Sequence, residues 1–292
     1  MFKKILVALD GSQLAEGVLP YTTDLATRFN SHVHLVSVIS DSERGQGLDR
    51  VFDAYLSRVT TNFKENGSNA KTTLLFGNPT SEILNYSEKH GIDLITLTSL
   101  GKGGVGRWNL GSVAEKISEA SKSPVLLVPV NGGKQASGPF FTRILVPVDI
   151  SDLGGAALPC VFAIGPKANS SVTLLYVESK PYTPTELSRK YYTETAEYLR
   201  KGAREYLDKT ARELKTEGVE AIYDIVSGDP AEEILNYAVS KKSDLIAIST
   251  HGRSGIVSWA LGSVANKVLH STVIPLLLVR AAKAACPAME AN

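Results

Sequence analysis

Short apolar runs alternate with longer stretches in which apolar residues recur at helical spacing, and the alternation runs twice along the chain. In the first half the runs are "ILVAL" from residue 5, "HVHLVSVI" from 32, "KTTLLF" from 71, "DLITLT" from 93 and "PVLLVPV" from 124. The stretches between them predict helices over 14–29, 49–66 and 79–90 and another from 111. "ILVAL" and, in the second half, "VTLLYV" are apolar on both faces, the pattern of strands buried from both sides in a parallel sheet. Strand and helix in alternation predict βαβ crossovers whose helices cover both faces. Each half is therefore expected to be α/β, a doubly wound five-stranded parallel sheet.

The two halves are copies. "KILVALDGS" at 4–12 answers "RILVPVDIS" at 143–151, "EILNY" occurs at 82–86 and again at 233–237, and "LTSLGKGGVGRWNLGSVAEKI" at 97–117 answers "ISTHGRSGIVSWALGSVANKV" at 248–268. Asp10 to Val38 and Asp149 to Val177 both span 28 positions, and Gly77 to Gly111 and Gly228 to Gly262 both span 34. Only the middle differs: 39 positions separate Val38 from Gly77 and 51 separate Val177 from Gly228, so the second copy carries 12 extra residues near "SKPYTPTELSRKYYTETAEYLRKGAREYLDK". An insertion confined to one connection predicts a surface excursion. The expected organisation is a first domain over 1–130, a linker over 131–141 within the solvated-looking "NGGKQASGPF" region, a second domain over 142–281 and a disordered tail over 282–292. Each copy ends in an apolar strand, "PVLLVPV" or "IPLLLVR", that would leave a bare sheet edge, so the copies are expected to pair as a pseudo-dimer within the chain. A homodimer of whole chains is a further expectation.

Composition narrows the classes. At 292 residues, 43% hydrophobic and 21% charged, the chain has the length of two globular domains. Its 31 basic and 30 acidic residues leave a formal charge of +1, so no global field steers it toward nucleic acid or an anionic membrane. Cys160 and Cys286 make no zinc-type cluster and at most one disulfide, which fits a reducing cytosol. The run Ile5 to Leu9 is too short for a signal-peptide core or a membrane span, so a cytoplasmic location is expected.

The loop after the fourth strand carries the candidate chemistry. In an open parallel sheet the ligand crevice lies beyond the carboxyl ends of the strands, where this loop falls. Glycines at 252, 255 and 262 would permit positive φ and close approach of backbone to ligand, and Gly262-Ser263 opens a helix whose N–H groups and dipole favour an anion. Phosphate suits such a loop; alternatively the glycines shape a long turn and Ser263 serves as an N-cap. Asp10 and Asp149, at the same edge, would accept hydrogen bonds from a ribose or adenine, or cap the helix that follows. Lys102 and Arg253, one past the loop glycine, would add charge toward a phosphate or stand as solvated loop cations. His251 corresponds to Leu100, so no role needing both copies falls to it, and the recurrent Trp108 and Trp259 favour packing over base stacking. No GxxxxGK[ST] stretch occurs, "GKGGVG" at 101–106 lacks its spacing, and no His or Glu pair recurs beside the loop to orient a water; no catalytic or metal-ligating residue is assigned.

One arrangement is specific. Gly252, the nine residues Arg253 to Leu261 and Gly262-Ser263 repeat the spacing of Gly101, Lys102 to Leu110 and Gly111-Ser112, with Asp149 and Asp10 after the first strands. This resembles the universal stress proteins, whose ATP-binding members carry Gly-x-x-Gly, nine residues, then Gly-Ser or Gly-Thr. The first glycine of that pattern is replaced by Ser249 in one copy and Thr98 in the other. The resemblance implies an adenine nucleotide alpha hydrolase-like fold with ATP as cofactor, and leaves open whether Mg²⁺ comes with the phosphates. It implies that Asp149 meets the adenosine, that Val177 lines the adenine pocket, and that Gly252, Gly262, Ser263 and Val264 wrap the phosphates. Asp10, Val38, Gly101, Gly111, Ser112 and Val113 match in the first copy. Pro147-Val148 before the aspartate is closer to the ATP-binding members than Ala8-Leu9, which makes the second site the better match. The implied function is a nucleotide-dependent regulatory protein of the stress response, with slow ATP hydrolysis or a non-binding interaction scaffold as the alternatives.

Overall fold

The computed structural model describes residues 1–43, 47–65, 69–102, 110–130, 138–151, 153–179, 186–250 and 261–280, with side chains for all of these except 42 and 186–196. The first copy runs β1 (Lys4–Ala8), a 3₁₀ turn (Ala15–Val18), α1 (Leu19–Phe29), β2 (His32–Ile39), a 3₁₀ turn (Asp41–Glu43), α2 (Leu48–Glu65), β3 (Asn69–Phe76), α3 (Pro79–His90), β4 (Leu94–Thr98), α4 (Ser112–Ala120) and β5 (Val125–Val128). The second repeats it as β6 (Arg143–Pro147), α5 (Leu158–Ala168), β7 (Ser171–Glu178), α6 (Glu186–Thr216), β8 (Glu220–Ser227), α7 (Pro230–Ser240), β9 (Leu245–Ser249), α8 (Ser263–Ser271) and β10 (Leu276–Val279). The α6 helix has 31 residues where α2 has 18, so the second copy's extra length includes a longer helix on the surface.

The strands form one ten-stranded sheet in the order β3-β2-β1-β4-β5-β10-β9-β6-β7-β8. Every pairing within a copy is parallel; the copies meet where β5 and β10 pair antiparallel, Leu127 opposite Leu276, Leu126 opposite Leu277 and Val125 opposite Leu278. The two apolar last strands thus cover each other's edge, the intrachain pairing their composition predicts.

Side chains alternate across this sheet as strand geometry requires. Ile5 and Val7 join Leu25, Phe29, Leu56 and Phe63 on the face of α1 and α2, while Leu6 joins Ile83, Tyr86, Ala114 and Ile117 on the face of α3 and α4. Leu126 and Leu277 fall on the first face and Leu127 and Leu276 on the second, so each apolar layer continues from one copy into the other.

Capping accounts for the helix starts. Asn78 precedes Pro79 and accepts the N–H of Ser81; Asp229 precedes Pro230 and accepts those of Ala231 and Glu232. The α1 and α5 helices end at Asn30 and Asn169, both left-handed. The chain departs from the apolar pattern at Asp93: it stands before β4, where its carboxylate accepts the backbone N–H groups of Lys3 and Lys4, and Asp244 does the same for Thr142 and Arg143. The linker also departs from expectation at its described end. Phe140 packs on Tyr21 with ring centroids 4.3 Å apart, and Phe141 is buried instead of solvated. Residues 131–137 and the tail 282–292 lie outside the described residues.

A buried histidine gives the first copy a pH dependence. His34 on β2 places Nδ1 3.1 Å from the Tyr86 hydroxyl, which is also 3.1 Å from the Thr73 hydroxyl, and the His90 ring stacks on Tyr86 at 3.8 Å. Burial, reinforced by Lys71, His90, Lys4 and His32, pushes His34 down to about 4. The folded protein holds His34 neutral, so the unfolded chain binds its proton first. The stability is complete above the ordinary histidine value and is lost as pH falls toward 4, by about 3 kcal/mol in all. Urea midpoints at pH 7 and pH 5 should show the loss, and it should shrink in His34→Thr, which carries the residue of the second copy, Thr173. An equal pH response in the variant would contradict the assignment.

Candidate functional site

Strand order reverses between β1 and β4 in the first copy and between β6 and β9 in the second, so a crevice opens at the carboxyl ends of those strands. Asp10 leaves β1 there. Gly11, at φ +82°, turns the chain back, and Asp10 Oδ1 accepts the N–H and the hydroxyl of Ser12 at 2.9 and 2.6 Å. The Ser12 hydroxyl oxygen in turn accepts the N–H of Ala15. The second copy repeats the turn with Asp149, Ser151 and Gly154, but the residue after its aspartate is Ile150 at φ +57°, an uncommon conformation for a β-branched side chain. Both aspartates therefore order the turn that feeds the next helix, and both line the crevice.

The neck of the loop after the fourth strand is closed in the same way in each copy. The Gly111 N–H donates to the Ser99 carbonyl at 2.7 Å and the Gly262 N–H to the Thr250 carbonyl at 2.8 Å. The α4 and α8 helices start immediately after these glycines. Gly111 (φ −82°) and Gly262 (φ −59°) are the N-caps, and Ser112 and Ser263 are the first helical residues. Two expectations are corrected here. Neither glycine takes a positive φ, because the backbone at the neck is extended, and Ser263 is not the N-cap, because the helix has already begun at it. A glycine N-cap offers no side chain to the first-turn N–H groups, in contrast to α3 and α7, which Asn78 and Asp229 cap.

Around these elements lie two cavities. The first, about 560 Å³, is lined by Ala8, Leu9, Asp10, Val38, Thr98, Gly101, Lys102, Gly111, Ser112 and Val113 among others. The second, about 300 Å³, takes in Pro147, Val148, Asp149, Val177, Ser249, Gly262, Ser263 and Val264. The residues singled out in the sequence come together in each copy wherever they are described. Gly252, Arg253, His251, Gly255 and Trp259, and Gly104 and Trp108 in the first copy, lie outside the described residues.

The replaced first glycines have work of their own. The Thr98 hydroxyl donates to the Leu100 carbonyl at 2.7 Å; the Ser249 hydroxyl donates to the Gly154 carbonyl at 2.8 Å, and its oxygen accepts the Ala157 N–H at 3.2 Å. Gly101 is dictated by close approach: a Cβ there would stand 2.0 Å from Asp10 Oδ2, which accepts the Lys102 N–H at 2.5 Å. The Lys102 ammonium is paired with Glu43, which also accepts from the Ser40 hydroxyl at 2.6 Å.

Several residues that line the crevices or order the turns beside them do not stand out in the sequence. Ser12 and Ser151 stand in the repeated "LDGS" and "VDIS", where a serine two positions past each aspartate was the available signal. Pro79 and Ile83, and Pro230 and Ile234, reach the cavities from α3 and α7. Glu43 carries no repeat signal and emerges only from the fold. Among the described residues no group of three or more His, Cys, Asp or Glu gathers as a metal site, and no helix is long and apolar enough to cross a membrane.

A doubly wound parallel sheet with a crevice at its switch point, a carboxylate after the first strand and an uncapped helix start after the fourth defines an α/β protein of the adenine nucleotide alpha hydrolase-like class, present here twice in tandem. The chain belongs to the universal stress protein family: the family model described as "Universal stress protein family" matches residues 1–129 and 140–280. Among curated relatives, universal stress protein YxiE of Bacillus subtilis (strain 168) is 28% identical over 147 residues, 48% of this chain and 99% of that protein. A universal stress protein of Methanocaldococcus jannaschii is 31% identical over 146 residues, 49% of this chain and 84% of that protein. Among solved structures, a universal stress protein from Archaeoglobus fulgidus DSM 4304 superposes with a TM-score of 0.70 at 21% identity, covering 96% of this chain and 97% of its own. A functionally unknown protein from Pseudomonas aeruginosa PAO1 does so with 0.73 at 17%, covering 96% and 93%. These last two share the two-domain fold.

Proposed function

We propose that the protein binds ATP, foremost in its second crevice, and acts as a nucleotide-dependent regulatory protein of the stress response. The observation that carries the reading is the meeting, twice, of three features at one crevice. They are a carboxylate after the first strand, the apolar end of the second strand, and a helix start with glycine at the N-cap. The first-turn N–H groups of α4 and α8 suit phosphate oxygens. Val38 and Val177 suit an adenine face, with Asp10 and Asp149 toward the nucleoside and Gly101, Gly252 and Arg253 toward the phosphates. Any Mg²⁺ arrives with the phosphates. In the sequence no His or Glu pair recurs beside the loop of both copies, so we assign slow hydrolysis at most and regulation through occupancy. We place the protein in the cytoplasm, where Cys160, its thiol pushed up to about 12 by burial, stays protonated.

A second reading, an interaction scaffold that binds no nucleotide, is favoured by the internal use of the Thr98 and Ser249 hydroxyls. Two experiments decide. Nucleotide released on denaturing the purified protein, identified by mass, supports the first reading. Gly262→Trp should weaken both ATP and tripolyphosphate in the second crevice by about 2–4 kcal/mol, through steric exclusion and the loss of one or two charge-assisted hydrogen bonds. Asp149→Ala should weaken ATP but spare tripolyphosphate. Identical profiles for the two variants would mean that the ends of the ligand are assigned the wrong way round.

A further inference from the structure

The two copies differ in sequence beside their crevices. In the first, the 3₁₀ turn after β2 carries "SDSE", and Glu43 reaches across the cavity wall to the ammonium of Lys102, the cation beside the loop glycine. Ser40 fixes the glutamate from the other side, its N–H at 3.2 Å and its hydroxyl at 2.6 Å. The second copy reads "SKPY" from the matching Ser179, a lysine and no acid. Its nearby acid, Glu178, is engaged by Arg200 and by the Ser227 hydroxyl toward the outer edge of the sheet.

We propose that Glu43 is a specificity-determining residue of the first crevice: its carboxylate occupies the cation that a polyphosphate would use, so this crevice disfavours triphosphates and accepts the uncharged nucleoside. The inference rests on the adenine-nucleotide reading above. Lys102 and Glu43 are partly exposed, with side chains 51% and 27% accessible, so their pair is weak enough to open. Opening it leaves Glu43 as an anion lining the cavity. Lys102 and then the Ser40 hydroxyl hold its carboxyl down to about 2, so it is charged at any pH used for binding. A triphosphate entering the first crevice must therefore displace one anion and remain near it, whereas adenosine disturbs neither group.

The test is calorimetric titration of the full-length Gly262→Trp protein, which reports the first crevice, with ATP and separately with adenosine, before and after adding Glu43→Gln. Glutamine keeps the size and the Ser40 contact and removes the charge. ATP should bind about tenfold more tightly in the glutamine variant, while adenosine changes less than about twofold. Added salt should weaken that ATP gain. Unchanged ATP affinity, or equal changes for both ligands, overturns the role of Glu43 and leaves the nucleotide reading standing. If neither ligand binds to either protein, or to the chain without the Gly262 change, the nucleotide reading falls and the role of Glu43 falls with it.

Discussion

Replacing Phe141 with alanine is expected to destabilise the protein by about 3–5 kcal/mol, the range for emptying a buried aromatic site. Its position in a glycine- and serine-rich connection would suggest almost no effect, but the ring is 1% exposed. Its centroid lies 6.1 Å from that of Tyr21 on α1, so a residue that leads into the second repeat is packed into the first. Phe2 is its counterpart: both take a left-handed φ, at +54° and +62°, and both carbonyls accept a serine hydroxyl at 2.5 Å, from Ser31 and Ser170. Phe141→Leu, which keeps most of the volume and the same backbone demand, should cost less than about 1.5 kcal/mol. Urea unfolding of both variants separates the ring from the backbone. A loss under about 1 kcal/mol for the alanine would show that Phe141 is a linker residue after all.

The fold was legible because the two faces of a buried parallel strand leave an unmistakable run, as in Ile5-Leu6-Val7, and because duplication repeated every such run. The β5 and β10 pairing was legible for the same reason, since two apolar edge strands in one chain have each other as partners. Asp10, Asp149 and the glycines at the loop neck followed from strand-end topology and glycine spacing, whereas Val38, Val113, Val177 and Val264 were implied only by the resemblance to the universal stress proteins. What could not be read was whatever depends on tertiary approach. Gly101 is glycine because of Asp10, which lies 91 positions earlier in the chain, and Gly111 sits at a neck where φ is negative, so conformational freedom was the wrong reason for it. Glu43 has no periodic signature, because an acid in a short turn becomes meaningful only when the fold brings Lys102 to it. Phe140 and Phe141 were read with the polar residues before them, because composition averages over a window and burial does not.

Leu126→Ala and Leu277→Ala should each cost about 2–5 kcal/mol and, more tellingly, each should loosen both halves of the chain. The two leucines are directly opposite in the antiparallel pairing of β5 and β10, are 1% and 2% exposed, and face the same apolar layer. That layer contains Val7 and Leu25 from the first copy and Val146 and Val161 from the second, so a cavity at the junction removes packing from side chains of both. Residues in contact share the cavity they create, so the double variant should depart from the sum of the singles by about 0.5 kcal/mol or more. Hydrogen exchange reads the distribution of the loss. In Leu277→Ala, amides of β1 and β2, in the copy that was not mutated, should lose protection along with those of β9. If only the second copy responds and the first keeps its full protection, the two sheets are joined by hydrogen bonds at one edge without sharing a core.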